Sequence, residues 1–332
     1  MKIVMIAGDG VGPEITAAAV RVVEATGLDV EWIEADAGET ALAKHGDVAP
    51  DHTLDLIRET GLALKGPFYT PSGGSRRSPN QRIRRELELY ACVRPIDILS
   101  LPRPVLLVRE NVEDMYAAVE WSPAPGVAEG LKIATWRGCT RIVRHAFERA
   151  AAESRSRVTL VHKANNLKLT EGMLLDAARE VAEDFPHLRL DDLIVDTAAA
   201  QLVLEPESFD VIVTSNTFGD ILSSVGAAVA GSLGLVGSLN RGDNVIVAEA
   251  SHGHVGDLTG TGRVNPLAMI SAAGLLLRDA GRTDLGDAVL DAVRETREKE
   301  IQTLDLGGEA TTEQVTDAVV RSVRDAVTRQ AA

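Results

Sequence analysis

Short β-rich apolar runs alternate along the chain with stretches whose apolar residues recur at helical spacing. Arg157-Val158-Thr159-Leu160-Val161 precedes a helical pattern over Leu169 to Phe185, and Asp210-Val211-Ile212-Val213 precedes another over Phe218 to Ala230. This alternation predicts an α/β fold with partly parallel strands. The opening Met1 to Ala7 is apolar only up to Gly8-Asp9-Gly10 and reads as a first buried strand. It is shorter than a signal h-region and lacks a cleavage pattern. Helices are expected over Leu267 to Asp279, Leu285 to Glu300 and Thr312 to Thr328, the last opening with a cap-like Thr311-Thr312-Glu313-Gln314. Loops are expected at Gly66-Pro67, Pro71 to Gly74, Pro102-Arg103-Pro104 and Pro123 to Gly126. The Gly/Ala-rich stretch from Val225 to Leu239 falls short of the roughly 20 residues needed to span a bilayer.

Composition adds bounds. The 332 residues, 45% of them apolar, suffice for two packed lobes. Against 34 Lys and Arg stand 49 Asp and Glu, a net charge of -15 that disfavours non-specific contact with nucleic acid or anionic membrane. Cys92 and Cys139 are the two cysteines, too few for a disulfide framework and without metal-ligand spacing, which points to a reduced, cytoplasmic chain.

In so acidic a chain, positive charge that binds an acid must be concentrated locally. Arg76, Arg77, Arg82, Arg84 and Arg85 crowd one window, with Arg94 and Arg109 soon after. Guanidinium groups hold carboxylates through paired charge-assisted hydrogen bonds, so a small polycarboxylate is a natural counterpart. A solvated helix face paired with Glu86 and Glu88 is the ordinary alternative. It suits Arg94 and Arg109 less well, because both adjoin apolar runs and should be partly buried. Asp196 reads as closing the strand Leu193-Ile194-Val195, and Asp220 as opening a helix after Gly219. Such aspartates are either caps or oxygen ligands for a hard cation such as Mg²⁺ or Mn²⁺. One helical turn after Asp220 a third ligand would fit, and there the chain has Ser224. Lys163 and Tyr116 are either surface and packing residues or a base and an acid brought towards a working pKa by nearby cations. The loop Gly8-Asp9-Gly10-Val11-Gly12-Pro13-Glu14 lacks the third glycine of a dinucleotide fingerprint, having Glu14 in its place. It reads as a sharp strand-to-helix turn with Pro13 near the helix start.

Taken in order, five motifs resemble those of the β-decarboxylating dehydrogenases, the isocitrate/isopropylmalate dehydrogenase family. They are the Gly8 to Glu14 loop, Glu88 to Pro95, Arg109 to Tyr116, Phe218-Gly219-Asp220, and the segment from Ser251-His252-Gly253 to Asn265-Pro266, closest in motif to NAD-dependent isocitrate dehydrogenases. The resemblance implies a two-lobed α/β fold that is not a Rossmann fold. The larger lobe would comprise 1–95 and 235–332 with the cofactor loop, and the smaller 96–234 with the dimer interface, its clasp formed by Pro123 to Ala134. It implies oxidation of a 2-hydroxyl by hydride transfer to a nicotinamide, then loss of the neighbouring carboxylate. Asp220 and, from the partner subunit, Asp196 would hold Mg²⁺ or Mn²⁺. Lys163, also from the partner, would take the hydroxyl proton with Asn165 near the substrate, and Tyr116 would protonate the enolate carbon. Arg84, Arg94 and Arg109 would clamp carboxylates of a small anionic substrate, in a homodimer with shared active sites.

The same resemblance makes His252, Gly253, Asp257, Leu258 and Asn265 cofactor-binding residues. Asp257 stands where NADP-using members tend to carry Lys, and an acid there repels a 2′-phosphate, so NAD is expected. His254, Val255 and Gly256 depart from the family's His-Gly-Ser/Thr-Ala-Pro. Thr70 and Ser78-Pro79-Asn80 resemble isocitrate dehydrogenases rather than the apolar helix of 3-isopropylmalate enzymes, and favour an isocitrate-type acid. Ser224 stands where the family usually has Asp. It leaves open a phosphonate analogue of isocitrate, to which Arg76 and Arg77 would contribute, homoisocitrate or 3-isopropylmalate, and a non-catalytic ligand-binding subunit.

Overall fold

A computed structural model of the protein describes residues 1–73 and 78–331, so Arg76 and Arg77 lie outside the described residues. The chain begins β1 (Lys2–Ile6), α1 (Gly12–Ala25), β2 (Glu31–Glu34), α2 (Glu39–His45), α3 (Asp51–Thr60), β3 (Leu62–Lys65) and α4 (Pro79–Glu86). It continues through β4 (Ala91–Ile96), β5 (Val105–Glu110), β6 (Glu120–Ala124), β7 (Val127–Gly130), α5 (Trp136–Ala152), β8 (Arg157–His162), α6 (Thr170–Glu183), β9 (Arg189–Ile194) and α7 (Val195–Leu204). It ends with β10 (Val211–Thr214), α8 (Asn216–Ala230), β11 (Gly237–Arg241), β12 (Ile246–Ala250), α9 (Leu267–Asp279), α10 (Thr283–Glu298) and α11 (Thr312–Ala331).

Two compact units divide these elements, Met1–Leu89 with Ala230–Ala332, and Tyr90–Val229. The boundaries fall a few residues before those read from the sequence. Strand β4 accounts for the first, because it pairs antiparallel with β5 and so belongs to the second unit.

In the larger unit the strand order is β2-β1-β3-β12-β11, parallel except for the β11–β12 hairpin. Every residue of β12 is buried, as a strand covered on both faces requires. Helix α9 is buried from Leu267 to Leu277, which explains its unbroken apolar sequence; α1 and α10 pack on it. Thr311 and Gln314 form a capping box at α11, Thr311 N donating to Gln314 Oε1 at 2.9 Å and Gln314 N to Thr311 Oγ1 at 3.1 Å. Between β1 and α1 the chain turns sharply, with Gly8 and Gly10 at φ +82° and +59°. A Cβ on Gly10 would come within 2.2 Å of the His254 carbonyl oxygen. Only glycine satisfies both the left-handed backbone and this close approach.

The smaller unit has the order β4-β5-β10-β8-β9, in which β5, β10, β8 and β9 are all parallel. Helices α5 and α6 pack against each other, with α5 also on β5 and β10. Strands β6 and β7 form an exposed hairpin, so the stretch around Pro123 to Gly126 is two short strands and their turn rather than a plain loop. Two further details differ from the sequence reading. Val195 opens α7 instead of ending β9, which puts Asp196 in a helix's first turn. Helix α8 begins at Asn216, which puts Asp220 in its second turn. Cys92 and Cys139 are buried free thiols, and burial pushes the Cys139 thiol up to about 12. Among the described residues, no helix is long and apolar enough to cross a membrane.

Candidate active site

The chemistry collects at the C-terminal ends of the parallel strands of the smaller unit. Thr214 on β10 is in register with Arg109 on β5, so the first turns of α8 lie beside that guanidinium. Arg109 is 1% exposed; its Nε and Nη2 both donate to Asn216 Oδ1, at 3.1 and 2.7 Å, while Nη1 donates to Asp220 Oδ1. Gly219 permits this approach, since a Cβ there would meet Arg109 Cγ at 2.5 Å. From β4, Arg94 lies 3.6 Å from the same Asp220 oxygen and donates to Ser223 Oγ. Tyr116, on a short turn over Met115–Ala117, donates its hydroxyl to Asp220 Oδ2 at 2.5 Å. Its ring lies 5.0 Å from the Arg109 guanidinium carbon, within cation–π range. Two guanidinium groups and a phenol therefore converge on one carboxylate, itself 38% exposed.

Buried ion pairs hold this cluster in shape. Asp114 precedes the Tyr116 turn and accepts from Met115 N at 2.8 Å, from Thr217 N at the start of α8 at 2.9 Å, and from Lys132 Nζ at 2.5 Å. Burial pushes the Asp114 carboxyl up, but Lys132 and the backbone donors outweigh it and hold the group below its usual range. Lys132 also pairs with buried Glu171 at 2.9 Å, and Glu171 accepts from the backbone N–H of Lys163 at 3.1 Å. Lys163 Nζ donates to Asp196, which is largely exposed and whose pKa this contact lowers. Asn165 is exposed two residues on.

Glu110 is a buried carboxylate beside the cluster. It accepts from Val112 N at 2.8 Å and Glu113 N at 2.9 Å, and Asn216 Nδ2 donates to it at 3.3 Å. Burial pushes its pKa from 4.5 to about 7. The folded chain thus holds this proton more tightly than the unfolded chain. The group's contribution to stability is fully present below about pH 4.5 and falls by roughly 3 kcal/mol as pH rises through 7. Urea unfolding at a series of pH values should show this decline in the wild type and a flatter profile in Glu110→Gln.

The larger unit carries the other expected residues. Arg84 on α4 donates to Glu249 Oε1 at 2.9 Å, and Glu249 also pairs with buried Lys65 and accepts from Asn240 Nδ2 at 2.7 Å. Burial pushes the Glu249 carboxyl up, but Lys65 and Arg84 outweigh it and hold it far below the carboxylate range. Arg82 and Arg85 pair with Asp47, Asp51 and Glu86, the ordinary surface role weighed above. Thr70 Oγ1 donates to Ser78 Oγ at 3.3 Å, and among the described residues Asn80 Oδ1 is buried without a partner.

In the same unit, Gly8, Asp9, Gly10, Pro13, Tyr69 and His254 help line an open cavity of about 470 Å³. Asp9 fixes it, accepting from Glu39 N at 2.9 Å and Tyr69 N at 2.8 Å. His254 stacks edge-on against Tyr69 with centroids 4.7 Å apart, and its carbonyl accepts from Val11 N at 3.0 Å. In the same loop, His252 Nδ1 lies 2.9 Å from the Gly253 carbonyl and burial lowers the ring's pKa, whereas Gly253 and Asp257 are exposed and Leu258 half-buried. Asn265 is buried, bonding Asp305 at 3.0 Å and the N–H of Leu267 at 3.0 Å. The departure at His254 is therefore a structural contact of the glycine loop.

The structure thus brings Arg94, Arg109, Tyr116 and Asp220 together and pairs Lys163 with Asp196. Asn216, Ser223, Asp114, Lys132 and Glu171 were not singled out by the sequence, because their partners lie far away along the chain. For a metal, carboxylate oxygens with a hydroxyl at Ser224 and neither thiolate nor imidazole suit a hard cation. Ser224 itself is exposed and bonds back to the Asp220 carbonyl at 3.3 Å. Among the described residues, no three His, Cys, Asp or Glu side chains of one chain group to hold a metal.

This fold and this arginine–carboxylate–tyrosine cluster define a class of decarboxylating dehydrogenases. The chain belongs to the isocitrate/isopropylmalate dehydrogenase family, whose model matches residues 2–319. It is similar to a solved structure of isocitrate dehydrogenase from Methylococcus capsulatus, with a TM-score of 0.93 and 42% identity over 97% of this chain and 99% of that one. An isocitrate/homoisocitrate dehydrogenase of Thermus thermophilus is 40% identical over 97% of this chain and 98% of its own length. The 3-isopropylmalate dehydrogenase of Archaeoglobus fulgidus is 40% identical over 92% and 94%. Other relatives are named as NADP or as NAD enzymes, and some as regulatory subunits.

Proposed function

We propose that the protein catalyses the NAD-dependent, divalent-metal-assisted oxidative decarboxylation of an isocitrate-type 2-hydroxy-3-carboxy acid to a 2-oxo acid and CO₂. The observation that carries this reading is the convergence of Arg94, Arg109 and Tyr116 on Asp220. Arg94, Arg109 and Arg84 would bind the substrate's carboxylates. Asp220 and the partner's Asp196 would hold Mg²⁺ or Mn²⁺, which would polarise the substrate's hydroxyl oxygen and stabilise negative charge that builds there. Lys163 would accept the hydroxyl proton, with Asn165 beside the substrate, and Tyr116 would deliver a proton to the enolate carbon after CO₂ leaves. The chain retains Tyr116, Lys163, Asp196 and Asp220, which favours an enzyme over a non-catalytic binding subunit. Thr70, Ser78 and Asn80 form a polar group that suits an anionic substituent better than an isopropyl group.

A homodimer with shared sites is supported by apolar exposure around the cluster. Ile221 directly follows Asp220 and is 58% exposed; Leu169 near Lys163 is 85% exposed, and Leu204 on α7 77%. The β6–β7 hairpin adds exposed Trp121 and Val127. Large apolar side chains so exposed suit burial under another chain. The cofactor would lie along the glycine-loop cavity with His252, Gly253, Asp257, Leu258 and Asn265. Asp257 would repel a 2′-phosphate, so kcat/KM is expected to be higher with NAD than with NADP, and Asp257→Lys should shift that ratio towards NADP by about tenfold. Initial rates with both cofactors test this; a wild type that prefers NADP would sink the cofactor assignment.

A further inference from the structure

The four parallel strands of the smaller unit have two ends. Catalytic residues follow their C-terminal ends, whereas an open cavity of about 490 Å³ lies at their N-terminal ends, lined by residues that precede or open the same strands. Arg103 and Pro104 lead into β5, Arg155 and Arg157 flank the start of β8, Arg189 opens β9, and Asp210 leads into β10. Strands of about six residues separate the two ends by roughly 20 Å.

Four guanidinium groups line this cavity in a protein of net charge -15. Their carboxylate partners are shared. Asp210 accepts from Arg155 Nη1 at 3.0 Å and from Arg103 Nη2 at 3.3 Å, and also from Ser156 N at 2.8 Å. Asp191 is bonded by Arg189 at 2.7 Å, leaving Arg157 at 3.8 Å from it. Glu153, which pairs with Arg155, also serves Arg149. Arg155 is buried and anchored on Asp210, Glu153 and the Pro104 carbonyl at 2.8 Å. The side chains of Arg103, Arg157 and Arg189 keep 44%, 28% and 71% of their surface open. Glu207 is the one other acidic lining residue. Several guanidinium groups sharing few carboxylates around a concave surface retain donors for an added anion.

We propose that this cavity is a second ligand site, at the opposite end of the strands from the catalytic residues, which binds a small phosphate-bearing polyanion. Its volume falls within the range of small-molecule sites and exceeds what a single phosphate fills, so the ligand carries a body beyond its anionic group. Leu101, Pro102 and Pro104 give that body an apolar wall.

The test is calorimetric titration of the full-length protein with pyrophosphate, with citrate as the carboxylate comparator, at two salt concentrations and in saturating NAD. Pyrophosphate is expected to bind in the presence of NAD, and Arg157→Gln/Arg189→Gln is expected to weaken it by roughly tenfold while leaving kcat and KM unchanged without added anion. Arg189→Gln alone, at a largely exposed position, should give a smaller loss in a chain whose fold is not in question. Arg94→Gln is expected to leave pyrophosphate binding intact. Loss of binding in Arg94→Gln with retention in the double variant would assign the anion to the substrate arginines and overturn the proposal. Absence of millimolar binding, or preference for citrate, would also overturn it.

Discussion

Replacing Asp220 by Asn is expected to lower kcat/KM for the proposed metal-assisted reaction by about 10³-fold or more, since loss of the proposed charged oxygen ligand would remove several kcal/mol of transition-state stabilisation. The change preserves shape and removes charge, so the loss is electrostatic. It has a second consequence in the fold. Arg109 and Arg94 are 1% and 5% exposed and both face Asp220, so the variant leaves two buried guanidinium groups with a weaker counterpart. Because Asp220 itself is 38% exposed, solvent softens that cost, and unfolding in urea should register about 1–2 kcal/mol. Initial rates over a Mg²⁺ or Mn²⁺ titration separate the two effects. A variant that keeps wild-type rates at every metal concentration would remove Asp220 from the metal site.

Lys163→Met should be as damaging to kcat, by about 10²- to 10⁴-fold for loss of a positioned base. The larger effect comes from mixing. If Lys163 and Asp196 serve the partner's site, a heterodimer of Asp220→Asn and Lys163→Met chains has one doubly altered site and one intact site. Two nearly inactive proteins, unfolded and refolded together, should then regain about a quarter of wild-type activity, because random pairing makes half the dimers mixed and each has one working site of two. Sites contained within single chains would give no recovery. The Lys163–Asp196 contact, with Leu169 exposed near Lys163 and Ile221 exposed next to Asp220, motivates this expectation.

Periodicity carried the fold far. Helix α9 occupies the span its apolar run predicts, and the strand before each helical pattern is present within a residue or so. Proline misled at Pro123, which lies in a strand of an exposed two-stranded hairpin, whereas Pro125-Gly126 form its turn as expected; an edge position leaves proline's missing donor harmless. At Leu193-Ile194-Val195 hydrophobicity continues unbroken while the backbone changes from strand to helix, so Asp196 could not be assigned to the right element from pattern alone. The charged residues of the cluster stand out one by one in the sequence. Their supporting partners do not, because Asn216 meets Arg109 through the pairing of β5 with β10, and Lys132 meets Glu171 across 39 positions of chain that no local pattern links.

The proposed reaction is a metal-dependent oxidative decarboxylation of an isocitrate-type acid. It is tested by NADH absorbance in Mg²⁺ or Mn²⁺ with isocitrate, homoisocitrate, 3-isopropylmalate and a phosphonomethyl analogue of malate, each repeated with chelator. NADH formation that requires the metal and is fastest with isocitrate is the predicted result. Preference for 3-isopropylmalate, or no turnover of any of the four despite tight acid binding, would contradict it.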